Sequence, residues 1–359
     1  MISLRLKSEC DPHLPPFVVR LTTHQPEDYS DAQLITEAPN RLGFSAAFGD
    51  FHLHNVTPAE VNGDVILVDP RRQIAHRLIR ATSPHNTFLI TEQCDQLCVM
   101  CSQPPKAQHD DMFAHFLTAA RLAPKSAHIG LSGGEPLLHK QKLFQFIETV
   151  VAERDDLSFH ILTNGQHFQR DDLPWLQKYR DRLLWGIPIY SNIPSIHDEI
   201  VGKSGAFSQL LKCLSLIGLS GAALELRTVV MNQNAAKLSS LSDFISRHIP
   251  FATTWAIMQM ERIGYGRMNW GRCFFDNSID FRELGVAIDI MQARNRSVSL
   301  YNFPLCTVPA AYRRYAVRSI SDWKQKYLPA CEGCHLRSHC SGFFEWYREE
   351  DGFMEICAE

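Results

Sequence analysis

The sequence predicts an α/β protein, with strand–helix units in the middle, a small β-rich domain before them and a cysteine-rich region after them. Two patterns predict this. Six β-rich runs alternate with segments of helical period, and the cysteines bunch at two places instead of scattering. Strand–helix alternation builds a parallel sheet, open or curled into a partial barrel, and ligands of such sheets sit at the carboxyl ends of the strands.

Residues 1–84 carry short apolar runs broken by Pro, Asn and Gly. Phe51–Val56 alternates and Val65–Val68 is a short strand-forming run ending at Asp69-Pro70, so this part reads as a small mixed or β-rich domain. Residues 85–278 hold the six runs: Thr87–Thr91, Ile129–Ser132, Phe159–Thr163, Leu183–Tyr190, Leu224–Val230 and Trp255–Met260. Helical patterns separate them at Met112–Leu122, Lys142–Arg154, Phe207–Gly218 and Leu238–His248. In Lys142–Arg154, Leu143, Phe146, Ile147 and Val150 share one face at helical spacing. Residues 279–359 open with a helix, Phe281–Arg294, and a short strand, Ser297–Tyr301, and then turn irregular.

Composition narrows the function classes. The chain has 359 residues, 45% hydrophobic and 21% charged, an ordinary globular balance. A net charge of −3 gives no electrostatic reason to expect a nucleic-acid partner. The opening MISLRLKSECD has no apolar core of a secretion signal, and no apolar run approaches the roughly 20 residues that span a bilayer. The eleven cysteines are therefore expected in a reducing cytoplasm, where thiols serve metals or chemistry.

After the first run comes Cys94-Asp-Gln-Leu-Cys98-Val-Met-Cys101, a C-x3-C-x2-C loop. Three thiolates this close can converge on one metal centre, and thiolates are the usual ligands of iron–sulfur clusters. Three ligands on a four-iron cluster leave one iron open. A zinc knuckle borrowing a fourth ligand answers to the same loop, although zinc sites more often come as two cysteine pairs. After the second run comes Gly133-Gly134-Glu135-Pro136. Its glycines allow close backbone approach to a ligand, and Glu135 is an acceptor suited to an ammonium group. Alone, such a turn marks only a loop. Its place one strand after the thiol loop lets one cofactor bridge the two.

The pairing of C-x3-C-x2-C with this Gly-Gly-Glu loop resembles the radical S-adenosylmethionine (SAM) superfamily, whose core is a partial (β/α)6 barrel. The resemblance implies that Cys94, Cys98 and Cys101 bind three irons of a [4Fe–4S] cluster. SAM would take the open iron, with Gly133, Gly134 and Glu135 at its amino end. Met100 stands where the family often has an aromatic ring. Thr163 and Asn164 close the third strand and face the same pocket by position; Ser191, Arg227 and Asn232 are candidates for the SAM carboxylate or ribose by resemblance. Capping or turn duty answers equally well for each of these polar residues.

The third zone contains Cys331-Glu-Gly-Cys334 and Cys340, a C-x2-C-x5-C pattern that Cys306 would complete to four thiolates. Four thiolates suit a second [4Fe–4S] cluster; a structural zinc site, with His335 or His339 replacing Cys306, is the alternative. The pattern resembles the auxiliary-cluster (SPASM/twitch) regions that follow radical SAM barrels, but Phe344 occupies the place of the usual next cysteine. Cys357 reads as a reserve ligand or, more simply, a free tail thiol. Cys213 sits in a helical pattern as a core residue.

Asn86–Thr91, Cys101-Ser-Gln-Pro-Pro-Lys106 and the stretch from Ser319–Trp323 through Tyr327–Cys331 to Cys340–Phe344 together resemble the C-type maturase of the His-Xaa-Ser system. That resemblance implies a peptide or small-protein substrate, a second radical SAM maturase as partner and an external electron donor. A radical SAM enzyme acting on a small metabolite or a tRNA base is the second reading. An iron–sulfur carrier or scaffold without turnover is the third.

Overall fold

The computed structural model describes residues 2–358; Met1 and Glu359, the outer ends of the first and third predicted segments, lie outside them. The fold is mixed α/β. It divides into two compact units. The first comprises the chain up to Thr91, Asp110–Ser132 and His139–His160; the second comprises Glu92–His109, Gly133–Leu138 and the chain from Ile161 on.

The first unit begins with seven strands: β1 (Arg5–Cys10), β2 (Phe17–Thr22), β3 (Asp31–Ala38), β4 (Arg41–Ala46), β5 (Gly49–His54), β6 (Val65–Asp69) and β7 (Ile74–Ile79), with a one-turn helix α1 (Pro58–Val61) before β6. They close into a barrel in the order β1-β5-β4-β3-β2-β6-β7. β1 shuts it by dividing its length: Arg5–Lys7 pair with β7 and Ser8–Cys10 with β5. Only β2 and β3 run parallel. Strand alternation sends Phe44 and Phe51 inward, where their rings stack at 5.5 Å, and Phe17 meets Phe51 edge-on at 5.8 Å. Asp64 and Arg77 form a buried ion pair through Arg77 Nε at 2.6 Å, with Ala81 N also donating to Asp64 at 2.9 Å. Burial pushes the Asp64 carboxyl up, and Arg77 opposes it.

Next come β8 (Asn86–Thr91), α2 (Phe113–Arg121), β9 (His128–Gly133), α3 (Lys140–Glu153) and β10 (Ser158–Leu162), with β8, β9 and β10 neighbours in that order. The helical face expected from the sequence is the buried face of α3: Leu143, Phe146, Ile147 and Val150. Phe146 packs edge-on to Phe88 and Phe159, and Phe88 stacks on Phe116 of α2 at 4.7 Å. These aromatic contacts hold both helices on the strands.

In the second unit Thr163, just past β10, donates its N–H to Gly186 O at 3.1 Å, inside β11 (Leu183–Pro188). The chain continues through α4 (Leu173–Tyr179), α5 (Pro194–Val201), α6 (Ala206–Ser220), β12 (Ala223–Val229), α7 (Leu238–His248) and β13 (Thr254–Met258). β11, β12 and β13 are parallel neighbours. Cys213 is fully buried on α6, as its position in an apolar helical face predicts. After the short helices α8 (Gly264–Met268) and α9 (Trp270–Cys273), α10 (Arg282–Ala293) leads to β14 (Val298–Tyr301), then β15 (Ala316–Val317). Both strands add in parallel beyond β13. The short strand expected at Ser297–Tyr301 thus extends the parallel run, because α10 supplies one more crossover of the same kind. A final pair, β16 (Gln325–Lys326) and β17 (Phe343–Phe344), is antiparallel. Among the described residues no helix is long and apolar enough to cross a membrane.

Candidate functional site

The second unit contains every candidate site residue singled out from the sequence. The loop Cys94–Cys101 is clasped along its backbone. Leu97 N and Val99 N donate to Val201 O and Ile200 O at the end of α5, at 3.0 and 2.9 Å. On the other side, Tyr265 N donates to Cys101 O at 2.8 Å and Asn269 Nδ2 to Val99 O at 2.8 Å. Gly264 makes that second approach possible: its φ is +56°, and a Cβ there would lie 2.5 Å from Cys101 O.

The three thiols are partly buried and feel one another. Burial pushes the Cys94 thiol up to about 11, with the charges of Glu135, Asp95 and Cys101 adding to it. Cys98 is driven up further by burial and by Cys101 and Cys94, and burial also raises Cys101. As thiols they donate weakly, Cys101 Sγ to Gln103 O at 3.1 Å and Cys98 Sγ to Gln96 Oε1 at 3.7 Å. Anions so placed repel, and a bound cation is what lets thiols in such a setting ionise. The donor chemistry fits an iron–sulfur cluster in kind. Among the described residues, no group of three or more His, Cys, Asp or Glu stands in metal-binding geometry.

The Gly-Gly-Glu loop lies directly against the start of the thiol loop. A Cβ on Gly134 would fall 2.1 Å from Gln93 O, and Glu135 N donates to that same oxygen at 2.7 Å. The Glu135 side chain is fully buried and turned toward the protein. Its Oε1 accepts from Leu137 N at 2.8 Å and Thr163 Oγ1 at 2.7 Å, and its Oε2 from Asn164 N at 2.6 Å. Burial pushes its carboxyl up against the pull of these donors. The sequence reading offers Glu135 to an ammonium group; instead, its carboxylate ties the loop after β9 to the loop after β10. Thr163 and Asn164 are enlisted in the same tie. Asn164 Nδ2 goes on to Asp95 Oδ1 at 2.8 Å, where His167 (3.2 Å) and Lys203 also bind. Burial opposes ionisation of Asp95, but hydrogen bonds from His167, Lys203 and Asn164 outweigh it and hold the carboxyl well below the usual carboxylate range.

Ser191 is buried and its Oγ accepts from Ile193 N at 3.0 Å, a turn that starts α5. Arg227 pairs with Glu225, two residues back on the same face of β12, and Glu225 also accepts from Tyr301 OH at 3.2 Å. Asn232 is exposed and spends its Nδ2 on Arg272 O at 3.1 Å, away from these residues. The residue that turns inward is Asn234: buried, it donates to Tyr190 O at 3.1 Å and Val229 O at 3.0 Å and accepts from Met231 N at 2.8 Å. An Asn a few residues past a predicted strand is the signal available for it, and two such residues compete here. Sequence reasoning also assigned no role to Tyr190. Its phenol is buried, and burial plus the charges of Cys98, Cys101 and Cys94 raise it well above its ordinary range while Arg227 pulls the other way. Tyr190 therefore stands within electrostatic reach of all three thiols and of Arg227.

In the C-terminal region Cys306, Cys331, Cys334, Cys340 and Cys357 line one cavity. Cys357, read from the sequence as a tail thiol, joins the other four because the chain after Phe353 returns to them. Burial pushes Cys306 up to about 11, with Cys340, Cys331 and Cys357 adding their charges. Cys340 is buried, and its Sγ accepts from Leu305 N and Gly342 N, both at 3.3 Å. Such N–H donors also suit a sulfur that ligates a cluster. His335 and His339 are exposed and absent from the cavity lining, so neither replaces a cysteine there.

No family model matches the chain. It is similar to the antilisterial bacteriocin subtilosin biosynthesis protein AlbA of Bacillus subtilis (strain 168), 23% identical over 162 residues, which is 44% of this chain and 36% of AlbA. Its fold is similar to that of Streptococcus suis SuiB bound to S-adenosylmethionine, with a TM-score of 0.50 and 15% identity over 62% of this chain and 51% of SuiB. A second solved structure, histidine-tagged anSMEcpe with bound AdoMet, gives a TM-score of 0.50 and 12% identity over 74% of this chain and 78% of that one. The chain thus spans about a third of AlbA and about half of SuiB. These likenesses show the fold that carries the thiol loop and the Gly-Gly-Glu loop packed on it.

Proposed function

We propose that the chain is a radical SAM enzyme that cleaves SAM reductively and modifies a peptide or small protein. The observation that carries this reading is the contact at Gln93 O, where Gly134 and Glu135 press the second loop onto the base of the thiol loop. A cofactor held by one loop would lie within reach of the other.

When bound, a [4Fe–4S] cluster with SAM on its open iron supplies an electron that splits SAM into methionine and a 5′-deoxyadenosyl radical. Cys94, Cys98 and Cys101 would hold three irons. Gly133 and Gly134 would leave room for the amino end of SAM, while Glu135, Thr163 and Asn164 keep the two loops in register. Arg227, with donors beyond those used on Glu225, would meet the SAM carboxylate; Ser191 would lie beside it. Tyr190, Met100 and Met260 belong to the apolar cluster packed on Cys98, which would exclude water from the reacting centre.

The finer reading has four parts. The strands after residue 85 form the partial (β/α)6 barrel, and residues 279–359 form an auxiliary-cluster region. Cys331, Cys334 and Cys340, with Cys306 or Cys357 as the fourth ligand, hold a second [4Fe–4S] cluster or, alternatively, zinc. A peptide substrate is supported by the likeness to AlbA, a bacteriocin biosynthesis protein. The motif resemblance adds a His-Xaa-Ser substrate, a second radical SAM maturase and an external electron donor, in a reducing cytoplasm that suits eleven free cysteines.

Anaerobic reconstitution with iron, sulfide, SAM and dithionite tests the core of this. 5′-Deoxyadenosine should form, and Cys98→Ala should abolish it. Undiminished product from Cys98→Ala would sink the proposal.

A further inference from the structure

Past the ends of β13 and β14 lies another, smaller cavity. Six aromatic residues line it: Trp270, Phe274, Phe343, Phe344, Tyr347 and Phe353. Their rings fix one another, with Trp270 stacked on Phe274 at 4.3 Å and Phe274 edge-on to Phe353 at 5.3 Å. The polar atoms of these rings are already used. Trp270 Nε1 donates to Asp351 O at 2.7 Å, and Tyr347 OH accepts from Phe353 N at 2.8 Å. Gln259 is spent as well, donating to Phe275 O and Asn277 Oδ1 and accepting from Met260 N. What these groups offer the cavity is hydrocarbon.

Asn302 is the exception. It sits at the end of β14 with φ +67°, its Oδ1 accepts from Ser319 Oγ at 3.0 Å, and its backbone N donates to the same hydroxyl. Its side-chain N–H groups meet no acceptor among the described residues. One polar donor thus remains on an otherwise apolar wall.

Position gives the cavity its meaning. Met260 and Trp270 belong to the cluster packed against Cys98 and Met100. Pro304 and Phe343 line both this cavity and the one with five cysteines. The aromatic cavity therefore shares residues with the apolar cluster packed on Cys98 and with the lining of the five-cysteine cavity.

We propose that this cavity seats one apolar side chain of the peptide substrate, aromatic or branched aliphatic, with the Asn302 amide donating to a backbone carbonyl of that peptide. The inference rests on the peptide-modifying reading above. No Asp, Glu, Lys or Arg lines it, so a charged side chain would lose its hydration without gaining a partner.

Capped pentapeptides, acetyl-Gly-Gly-Xaa-Gly-Gly-amide with Phe, Leu, Ala or Lys as Xaa, titrated onto the reconstituted protein, test it. The Phe and Leu peptides should bind about 10-fold more tightly than the Ala and Lys peptides. Phe274→Ala should erase that ranking. Asn302→Gly, which keeps the positive φ, should weaken all four peptides alike and preserve the ranking. Equal binding of the four peptides, or a ranking untouched in a Phe274→Ala protein of normal iron content, overturns the proposal. If Phe274→Ala does not fold, Asn302→Gly decides: a common loss supports the pocket and unchanged affinities overturn it. 5′-Deoxyadenosine formation without peptide is measured alongside. Its absence would fell the radical SAM reading itself, while its presence with equal peptide binding fells the pocket alone.

Discussion

The Glu135 carboxylate accepts the backbone N–H of Asn164 at 2.6 Å, joining two successive strand-end loops through a side chain with no exposed surface. Glu135→Gln would turn an amide donor toward one of three donors now satisfied by the carboxylate. Leaving a buried donor unpaired costs about 1–3 kcal/mol. Urea unfolding of Glu135→Gln should show a loss of that size, with SAM affinity reduced in the same protein.

Asp95 anchors the outer end of this network, and its depressed carboxyl sets the sign of a pH effect. A group held below its ordinary value of 3.8 stabilises the fold fully above that value and loses its contribution as pH falls toward the folded-state value. Asp95→Asn should therefore be less stable than the parent chain at pH 7. The gap should narrow below about pH 4, as the parent's carboxylate protonates. Denaturant melts at pH 7, 5 and 3 check it; a gap constant with pH would refute it.

Gly134 has no space for a side chain. Gly134→Ala would place Cβ 2.1 Å from Gln93 O, a backbone atom that cannot rotate away. Displacing the loop at a strain of about 1–3 kcal/mol corresponds to roughly 5- to 150-fold weaker binding. Equilibrium dialysis against labelled SAM should register that loss, while the iron content of the reconstituted protein stays within error of the parent.

Five thiols around one cavity are one more than a closed four-iron cluster uses. Cys306→Ala and Cys357→Ala should each retain about eight irons per chain, and the double variant should fall to about four. Cys340→Ala alone should also fall to about four, since its sulfur has the two N–H donors. Anaerobic iron and zinc counts separate these outcomes, and zinc in place of the lost iron would point to the alternative metal.

The buried pair of Asp64 and Arg77 makes a separate stability test of the barrel. Arg77→Ala strands a buried carboxylate and should cost about 3–5 kcal/mol. Arg77→Ala with Asp64→Asn in the same chain should recover part of that loss.

What the sequence made legible was local. Cys94, Cys98 and Cys101 lie within one loop, and Leu143, Phe146, Ile147 and Val150 repeat at one period, so neither needs a distant partner to be read. Cys357 needed one: nothing near it in sequence says that Tyr347 and Phe353 pack together and return the tail to Cys306. Asn232 and Asn234 differ by two positions in the same turn, and only the course of that turn decides which is buried. Glu135 looks like a ligand group from its motif, because sequence does not show which way a carboxylate points. The closed barrel was hidden for the same reason, since the parallel β2–β3 pairing and the divided β1 arise from contacts between distant residues.

That closure has a consequence for recruitment. Each of the seven strands has a neighbour on both sides, but β2 meets β3 only at Asp31–Gln33, so the far part of β3 is paired with β4 alone and keeps one unpaired row of backbone N–H and C=O groups. A polypeptide adding a strand, the route that reads main chain with little regard for side chains, would find its longest open row there. Elsewhere on the barrel a bound segment would be gripped by side chains, and its sequence would carry the address.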